Sequence, residues 1–109
     1  MKVLTVLEQI ILSAIVSLED EAFGVAIRKK IKAFTGKSIM YGTLYNALDQ
    51  LLRKGYIRKT EGKQAVGRSV HGRVYYALTP PGRKSLLSAF KLQRTIWANI
   101  PDLVKDYES

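Results

Sequence analysis

The chain has 109 residues, no cysteine and one histidine, and its 18 Lys and Arg residues against nine Asp and Glu give a formal charge of +9. This length fits one domain, and 47% hydrophobic residues are enough for a core, which excludes a disordered tail. The lack of cysteine excludes disulfide scaffolds and thiol chemistry, and a single His71 excludes most catalytic and metal clusters. We therefore predict no metal site and no cofactor.

The positive charge lies in one stretch of the chain. From Arg28 to Arg94 there are 16 basic and two acidic residues, a charge of +14, whereas the rest of the chain carries −5. A surface that only provides solubility mixes its signs. The segregation of charge therefore indicates a polyanionic partner. Nucleic acid is the favoured candidate, and an anionic membrane is the second.

The first 18 residues are apolar, but they do not form a convincing targeting segment. Glu8 interrupts them, and acidic residues follow at the place where a signal peptide would be cleaved. No window reaches the about 18 uninterrupted apolar residues of a transmembrane helix. We expect a cytoplasmic protein with no membrane partner.

Three helices are predicted in the first half of the chain. The first, over residues 4–18, is apolar on nearly every side, which in so short a chain suggests contact with another subunit. The second has the acidic residues 19–21 at its start and ends at Gly36. Its apolar positions are Phe23, Ile27, Ile31 and Phe34. Its other face, with Arg28, Lys29 and Lys32, is interpreted as mainly solvated.

The third helix, over residues 41–54, has a leucine-rich inner face formed by Leu44, Leu48, Leu51 and Leu52. The opposite face consists of Gly42, Asn46, Asp49, Gln50 and Arg53, with Thr43 on the flank. Two β-prone runs, residues 56–60 and 73–78, then predict a hairpin whose long tip carries Lys63, Arg68 and His71. A last helix begins after Thr79 and ends or bends at Pro101, and the acidic tail is expected to fray.

This order of elements is that of a winged helix-turn-helix, a mainly α (α+β) fold in which residues 1–78 form the DNA-binding unit. Its third helix fits the major groove, where polar side chains read base edges, while nearby basic residues neutralise phosphates. We expect base contacts from Thr43, Asn46 and Gln50. Contacts to the DNA backbone are expected from Lys37, Ser38, Tyr41, Tyr45, Arg53, Lys63, Arg68 and Arg73. Simple aromatic packing is the alternative role for the two tyrosines.

Several segments carry a family resemblance: residues 41–48 (YGTLYNAL) continued by Leu51 and Gly55-Tyr56-Ile57, Phe23-Gly24 with Ile27, Gly67-Arg68, and residues 75–79 (YYALT) with Gly82. In this order they resemble the PadR-like transcriptional regulators over roughly residues 4–97. There are departures from the family pattern. Met40 stands where the family often has serine, Gln50-Leu51-Leu52 replaces Arg-Leu-Glu, and residues 69–72 interrupt the basic run of the wing.

The resemblance implies a homodimeric bacterial or archaeal repressor in which residues 79–109 are a C-terminal dimerisation helix and tail. In the family this helix packs against the partner's N-terminal region, in keeping with the many apolar sides of the first helix. The interface residues that we expect are Leu4, Leu7, Ile11, Leu86, Phe90 and Trp97. The short single C-terminal helix resembles a subgroup in which some members bind hydrophobic or aromatic effectors. Trp97 is then a core or interface residue, or a surface on which a flat effector stacks.

Two other functions are compatible with this fold, because fold does not fix function. A protein-interaction module would bind an acidic partner and no duplex, and the charge around the third helix counts against it. An RNA-binding winged helix would be distinguished by competition between duplex DNA and duplex RNA, whose deep major groove side chains cannot read. An enzyme is the least favoured class, because no pair of nucleophile and base is visible.

Overall fold

A computed structural model describes residues 3–61 and 73–109 of the chain. Its elements, in chain order, are α1 (Val6–Leu18), a 3-10 turn (Glu19–Glu21), α2 (Gly24–Thr35), α3 (Tyr41–Arg53), β1 (Ile57–Glu61), β2 (Val74–Leu78), α4 (Pro80–Ala98) and α5 (Pro101–Glu108). Three helices followed by an antiparallel two-stranded hairpin confirm the predicted winged helix-turn-helix.

Helix α1 is the centre of the protomer. It begins at a capping box, in which the Thr5 hydroxyl accepts from the Glu8 amide and the Glu8 carboxylate accepts from the Thr5 amide. The helix then packs against α2, α3, β2 and α4. Its apolar sides are therefore covered mostly by its own chain, with Val6 and Val16 left exposed. The several apolar sides do not by themselves require a second subunit.

The acidic residues 19–21 were predicted to begin the second helix. This prediction is wrong, because they form a separate 3-10 turn. After this turn Ala22 is buried and Phe23 pairs with Tyr75 as an isolated β-bridge. The amide of Tyr76 also donates to the Ala22 carbonyl at 2.8 Å. This extended pairing delays the start of α2 to Gly24 and fixes the hairpin to the helical unit.

The core lies between the three helices and the inner face of the hairpin. Its completely buried large side chains come from α1, α2 and α3: Ile11, Leu12, Ile15, Ile27, Leu44, Leu48 and Leu51. The hairpin contributes Ile57 and Tyr76. Burial, together with the nearby Tyr45 and Asp49, raises the pKa of the Tyr76 phenol, which therefore stays neutral.

The start of α4 is fastened to the start of β1. The Thr79 hydroxyl accepts from the Gly82 amide and donates to the Gly55 carbonyl, and the Thr79 amide donates to the Tyr56 carbonyl at 3.1 Å. Gly82 lies so close to this carbonyl that a methyl group on it would be 1.9 Å from the Tyr56 oxygen. Two of the resemblance segments, Gly55-Tyr56-Ile57 and residues 75–79 with Gly82, thus meet at one junction.

The C-terminal segment extends away from the winged-helix unit. After Ala89, α4 has no buried residue, and α5 has none. Helix α4 ends at Ala98, shortly before Pro101, in line with the predicted end or bend at this proline. The tail differs from the expectation, because residues 101–108 form a further helix, α5, that begins at Pro101. The radius of gyration is 16.3 Å, against about 13 Å for a compact chain of this length.

Within residues 3–61 and 73–109, no helix combines the length and apolar character that crossing a bilayer would require.

Candidate nucleic-acid interface

Helix α3 has one buried face and one exposed polar face. Leu44, Leu48 and Leu51 are completely buried, which fixes the rotation of the helix. The three predicted base-reading residues, Thr43, Asn46 and Gln50, are all exposed on the other side. Within the described residues their side chains form no hydrogen bond. Their donors and acceptors are therefore available to a ligand.

Asp49 is paired within this exposed face. Its carboxylate lies 3.3 Å from the Arg53 guanidinium, one helical turn further on. Both side chains are well exposed, so the pair contributes only about 0.3–0.5 kcal/mol. Arg53 can leave this weak pair for a phosphate oxygen at small cost.

The turn between α2 and α3 presents Lys37 and Ser38 to solvent. The Thr35 hydroxyl accepts from the Lys37 amide at 3.1 Å and so shapes the turn. Met40 occupies the N-cap of α3 and supplies no side-chain hydrogen bond to the first turn. The positive end of α3 is therefore not capped by a side chain of Met40, and Lys37 precedes it by four residues.

Tyr41 and Tyr45 stack on each other at the start of α3, with ring centroids 6.2 Å apart and an angle of 20° between the planes. Both rings are more than two-fifths exposed, so packing and contact with a partner are compatible at these positions. The Tyr45 hydroxyl rests on α2, where a methyl group on Gly24 would lie 2.0 Å from its oxygen. This contact explains why glycine follows Phe23.

Arg28 is not the solvated residue that the sequence predicted. It is half-buried, its Nε donates to the Ile39 carbonyl at 2.6 Å, and its guanidinium lies 4.4 Å from the centre of the Tyr41 ring. Lys29 and Lys32, on the same helix, are exposed as predicted. Sequence reasoning missed these contacts because Ile39 lies in the turn after α2 and Tyr41 lies beyond it, so no helical spacing relates them to Arg28.

Arg73 lies at the base of the wing, beside α3. Its guanidinium lies 4.4 Å from the centre of the Phe23 ring, which itself packs edge-on against Tyr75. Arg73 is exposed and can reach a partner from this anchored position. The other predicted wing residues, Lys63, Arg68 and His71, lie outside the described residues.

The six expected interface residues divide into three groups by their exposure. Ile11 is completely buried and Leu4 is 7% exposed, so these two belong to the core of the protomer and are removed from the predicted contact surface. Leu7 and Leu86 are half-buried against that core. Phe90 and Trp97 are 56% and 52% exposed.

Helix α4 carries two apolar stripes, which explains the mixed outcome. Leu86 and Ala89 face the core, whereas Leu87, Phe90 and Trp97 face outward at spacings of three and seven. Residues that the sequence analysis did not select continue the outer apolar surface: Ile96, Ile100, Leu103 and Tyr107. The two apolar stripes alternate along the sequence of α4. This alternation could have identified Leu87 as a residue of the exposed stripe.

Trp97 also lines an open cleft of about 490 Å³ between α4 and α5. The other lining residues are Leu103, Val104, Tyr107 and Glu108 of α5. The indole nitrogen donates to Gln93 Oε1 at 3.0 Å, which fixes the plane of the ring. The cleft is thus mainly apolar with one oriented aromatic surface.

Residues 11–88 match the sequence profile of the transcriptional regulator PadR-like family. The chain belongs to this family. It is therefore a DNA-binding transcription regulator, and the resemblance drawn from the sequence motifs is confirmed. A search of curated protein sequences gave no match.

Solved structures of similar chains support the PadR-like fold over nearly the whole length. The Streptococcus mutans protein smu.1704 is 31% identical with a TM-score of 0.69, and the match covers 96% of this chain and 92% of that one. A transcriptional regulator from Clostridium thermocellum is 28% identical with a TM-score of 0.64, covering 94% and 89%. A PadR-like transcriptional regulator from Bacillus cereus is 23% identical with a TM-score of 0.74, covering 91% of each chain.

Proposed function

We propose that this PadR-like regulator is a homodimeric repressor that binds an inverted-repeat operator in the cytoplasm and has no catalytic activity. The observation that carries the proposal is the exposed polar face of α3, where Thr43, Asn46 and Gln50 have no hydrogen-bond partner among the described residues. Residues 1–78 would form the DNA-binding unit, and residues 79–109 the dimerisation segment.

Base reading would depend on the two amides of α3. Asn46 and Gln50 are four residues apart and so share one helical face. The NH2 group of a side-chain amide can donate to adenine N7 while its oxygen accepts from the adenine N6 amino group. Such a bidentate pair is worth about 1–3 kcal/mol of discrimination against other bases. Thr43, one turn earlier, would contact a thymine methyl group or a phosphate.

Phosphate contacts would surround this face. Lys37 and Ser38 precede α3, Tyr41 and Tyr45 lie on its first turns, and Arg53 follows at its end. Arg73 would bind from the base of the wing, and Lys63 and Arg68, which lie outside the described residues, are proposed as further phosphate contacts. A dimer that neutralises about 6–10 phosphates loses about 10³–10⁵ in affinity between 50 and 200 mM salt. Such steep salt dependence is therefore expected.

The outer surface of α4 and α5 supports a dimer. Leu87, Phe90 and Trp97 expose large apolar side chains on a segment that extends from the winged-helix unit, an arrangement that a second copy would bury. Leu7 of α1 and Leu86 of α4, both half-buried against the core, would lie at the edge of this contact. Two-fold pairing would place the two α3 helices in successive major grooves, about 34–36 Å apart.

The cleft at Trp97 supports a site for a flat hydrophobic effector. Its walls are mainly apolar, with the charged Glu108 among the lining residues, and the hydrogen bond to Gln93 holds the indole ring in one orientation for stacking. Because the cleft lies on the segment that we assign to the dimer, an effector there would act on the dimer rather than on α3 directly.

Selection of bound duplexes from a random pool at physiological salt tests the DNA proposal. Enrichment of an inverted repeat is expected, and the double variant N46A/Q50A should lose base preference while keeping most non-specific affinity. N99A, which removes an exposed amide at the end of α4, is the matched control and should keep the preference. Selection of no duplex, or preferential binding of duplex RNA or an acidic protein, would overturn the proposal.

A further inference from the structure

Arg28 joins α2 to the beginning of α3 through two contacts. Its Nε donates to the carbonyl of Ile39, in the turn just before α3, at 2.6 Å. Its guanidinium also lies 4.4 Å from the centre of the ring of Tyr41, the first residue of α3. One half-buried side chain therefore holds both the turn and the first residue of the reading helix.

The contacts continue from Tyr41 back to α2. Tyr41 stacks with Tyr45 one turn later, and the Tyr45 hydroxyl rests against Gly24 at the start of α2. This row of side chains therefore connects α3 to α2 at two points, at Arg28 and at Gly24. Leucines bury the inner face of α3 and set its rotation, and this outer row of side chains joins its first turns to the neighbouring helix.

From this arrangement we infer that Arg28 is a positioning residue for sequence recognition, acting through the Ile39 carbonyl and the Tyr41 ring. The inference rests on the proposed DNA function and deepens it. Base contacts require donors and acceptors held in hydrogen-bonding geometry, and Thr43 and Asn46 lie within the first two turns that Arg28 holds. Arg28 thereby affects which bases are read without touching a base.

The two contacts need an arginine. A guanidinium is planar, so it can stack on a ring while its Nε donates within the same plane, whereas a lysine ammonium is a point charge with no planar face. Replacing Arg28 by lysine therefore keeps the positive charge near the DNA and removes the paired geometry. Lys29, the next residue, is exposed and forms neither contact, which makes it the matched control.

The test compares native protein, R28K and K29A on two duplexes, the one that the native protein selects from a random pool and a scrambled duplex of equal length. R28K should lose about tenfold in affinity for the selected duplex. Its affinity for the scrambled duplex and its salt dependence should not change, because the charge is kept. K29A should weaken binding to both duplexes equally or leave both unchanged.

A second variant, Y41L, tests the same connection from the other side and guards against a folding defect in R28K. If Arg28 acts partly through Tyr41, R28K/Y41L should lose less preference than the sum of the losses in the two single variants. Equal loss on both duplexes in R28K, or full additivity in the double variant, would overturn the inference. Native protein without preference for any duplex would instead overturn the proposed function, so the two failures are distinguishable.

Discussion

The ammonium nitrogen of Lys54, at the end of α3, lies 2.6 Å from Glu8 Oε2 in the first turn of α1. The other oxygen of the same carboxylate accepts from the Thr5 amide at 2.8 Å. Glu8 therefore caps α1 and also joins the C-terminal end of α3 to α1, the central helix of the protomer.

The first prediction concerns the pH dependence of this pair. Partial burial opposes the ionisation of Glu8, but the bonds from Lys54 and Thr5 outweigh it, so its pKa lies below the ordinary value of 4.5. A lowered pKa contributes stability above pH 4.5 that is lost as the pH falls through the folded-state value. E8Q should therefore cost about 1 kcal/mol at neutral pH and much less in acid.

Urea unfolding over a pH series measures this effect. D20N is the control, since Asp20 is exposed and forms no ion pair within the described residues. A cost of E8Q that stays constant into acid would mean that the carboxylate acts by shape and not by charge.

The second prediction concerns the junction at Gly82. A methyl group there would lie 1.9 Å from the backbone oxygen of Tyr56, which cannot rotate away as a side chain can. G82A should therefore lower the free energy of unfolding by about 1–3 kcal/mol or more. At Gly42, in the first turn of α3, a methyl group would meet nothing within 4 Å. G42A should raise the stability by about 0.5–1 kcal/mol, so a loss in both variants would contradict this account.

The third prediction concerns the outer stripe of α4. Phe90 is 56% exposed, so F90D should leave the fold of the protomer intact while placing a charge in the proposed dimer contact. Light scattering should then report monomers, and affinity for an inverted repeat should fall because the two half-sites are no longer linked. K91D changes the exposed neighbouring residue and should remain dimeric. Monomers in the native protein would contradict the proposed assembly.

The fourth prediction concerns the cleft beside Trp97, the only tryptophan of the chain. A planar apolar dye such as Nile red should bind there and quench the indole emission. L103D places a charge in the lining of the cleft and should weaken dye binding at least several-fold, whereas K105A, at an exposed position of α5, should not. Equal quenching in L103D would place the dye elsewhere.

The sequence was most informative where one periodicity decides the structure. The leucine spacing of α3 correctly predicted its buried face and hence the exposure of Asn46 and Gln50. In α1 and α4, by contrast, periodicity identifies apolar faces but cannot say which chain covers them. Ile11 was therefore assigned to a partner although its own chain buries it, while the exposed Leu87 was not selected.

Contacts across turns were beyond sequence reasoning for a different reason. The bond from Arg28 to the Ile39 carbonyl and the approach of Gly82 to Tyr56 join residues whose separation along the chain has no regular period. They depend on how two elements are set against each other, which follows from packing of the whole unit. The family resemblance marked Gly82 as notable, but only the structure gives the steric cause.

The junction of Thr79 and Gly82 with Gly55 and Tyr56 has a mechanical consequence. Helix α4 cannot turn about its axis without moving the first strand of the wing, because the two backbones are in direct contact there. In a pair of subunits, the angle at which the two α4 helices cross would then set the separation of the two wings. A molecule bound beside α4 and α5 would then change how the two winged-helix units fit a DNA duplex. It would do so by changing the crossing angle, without a rearrangement inside either unit.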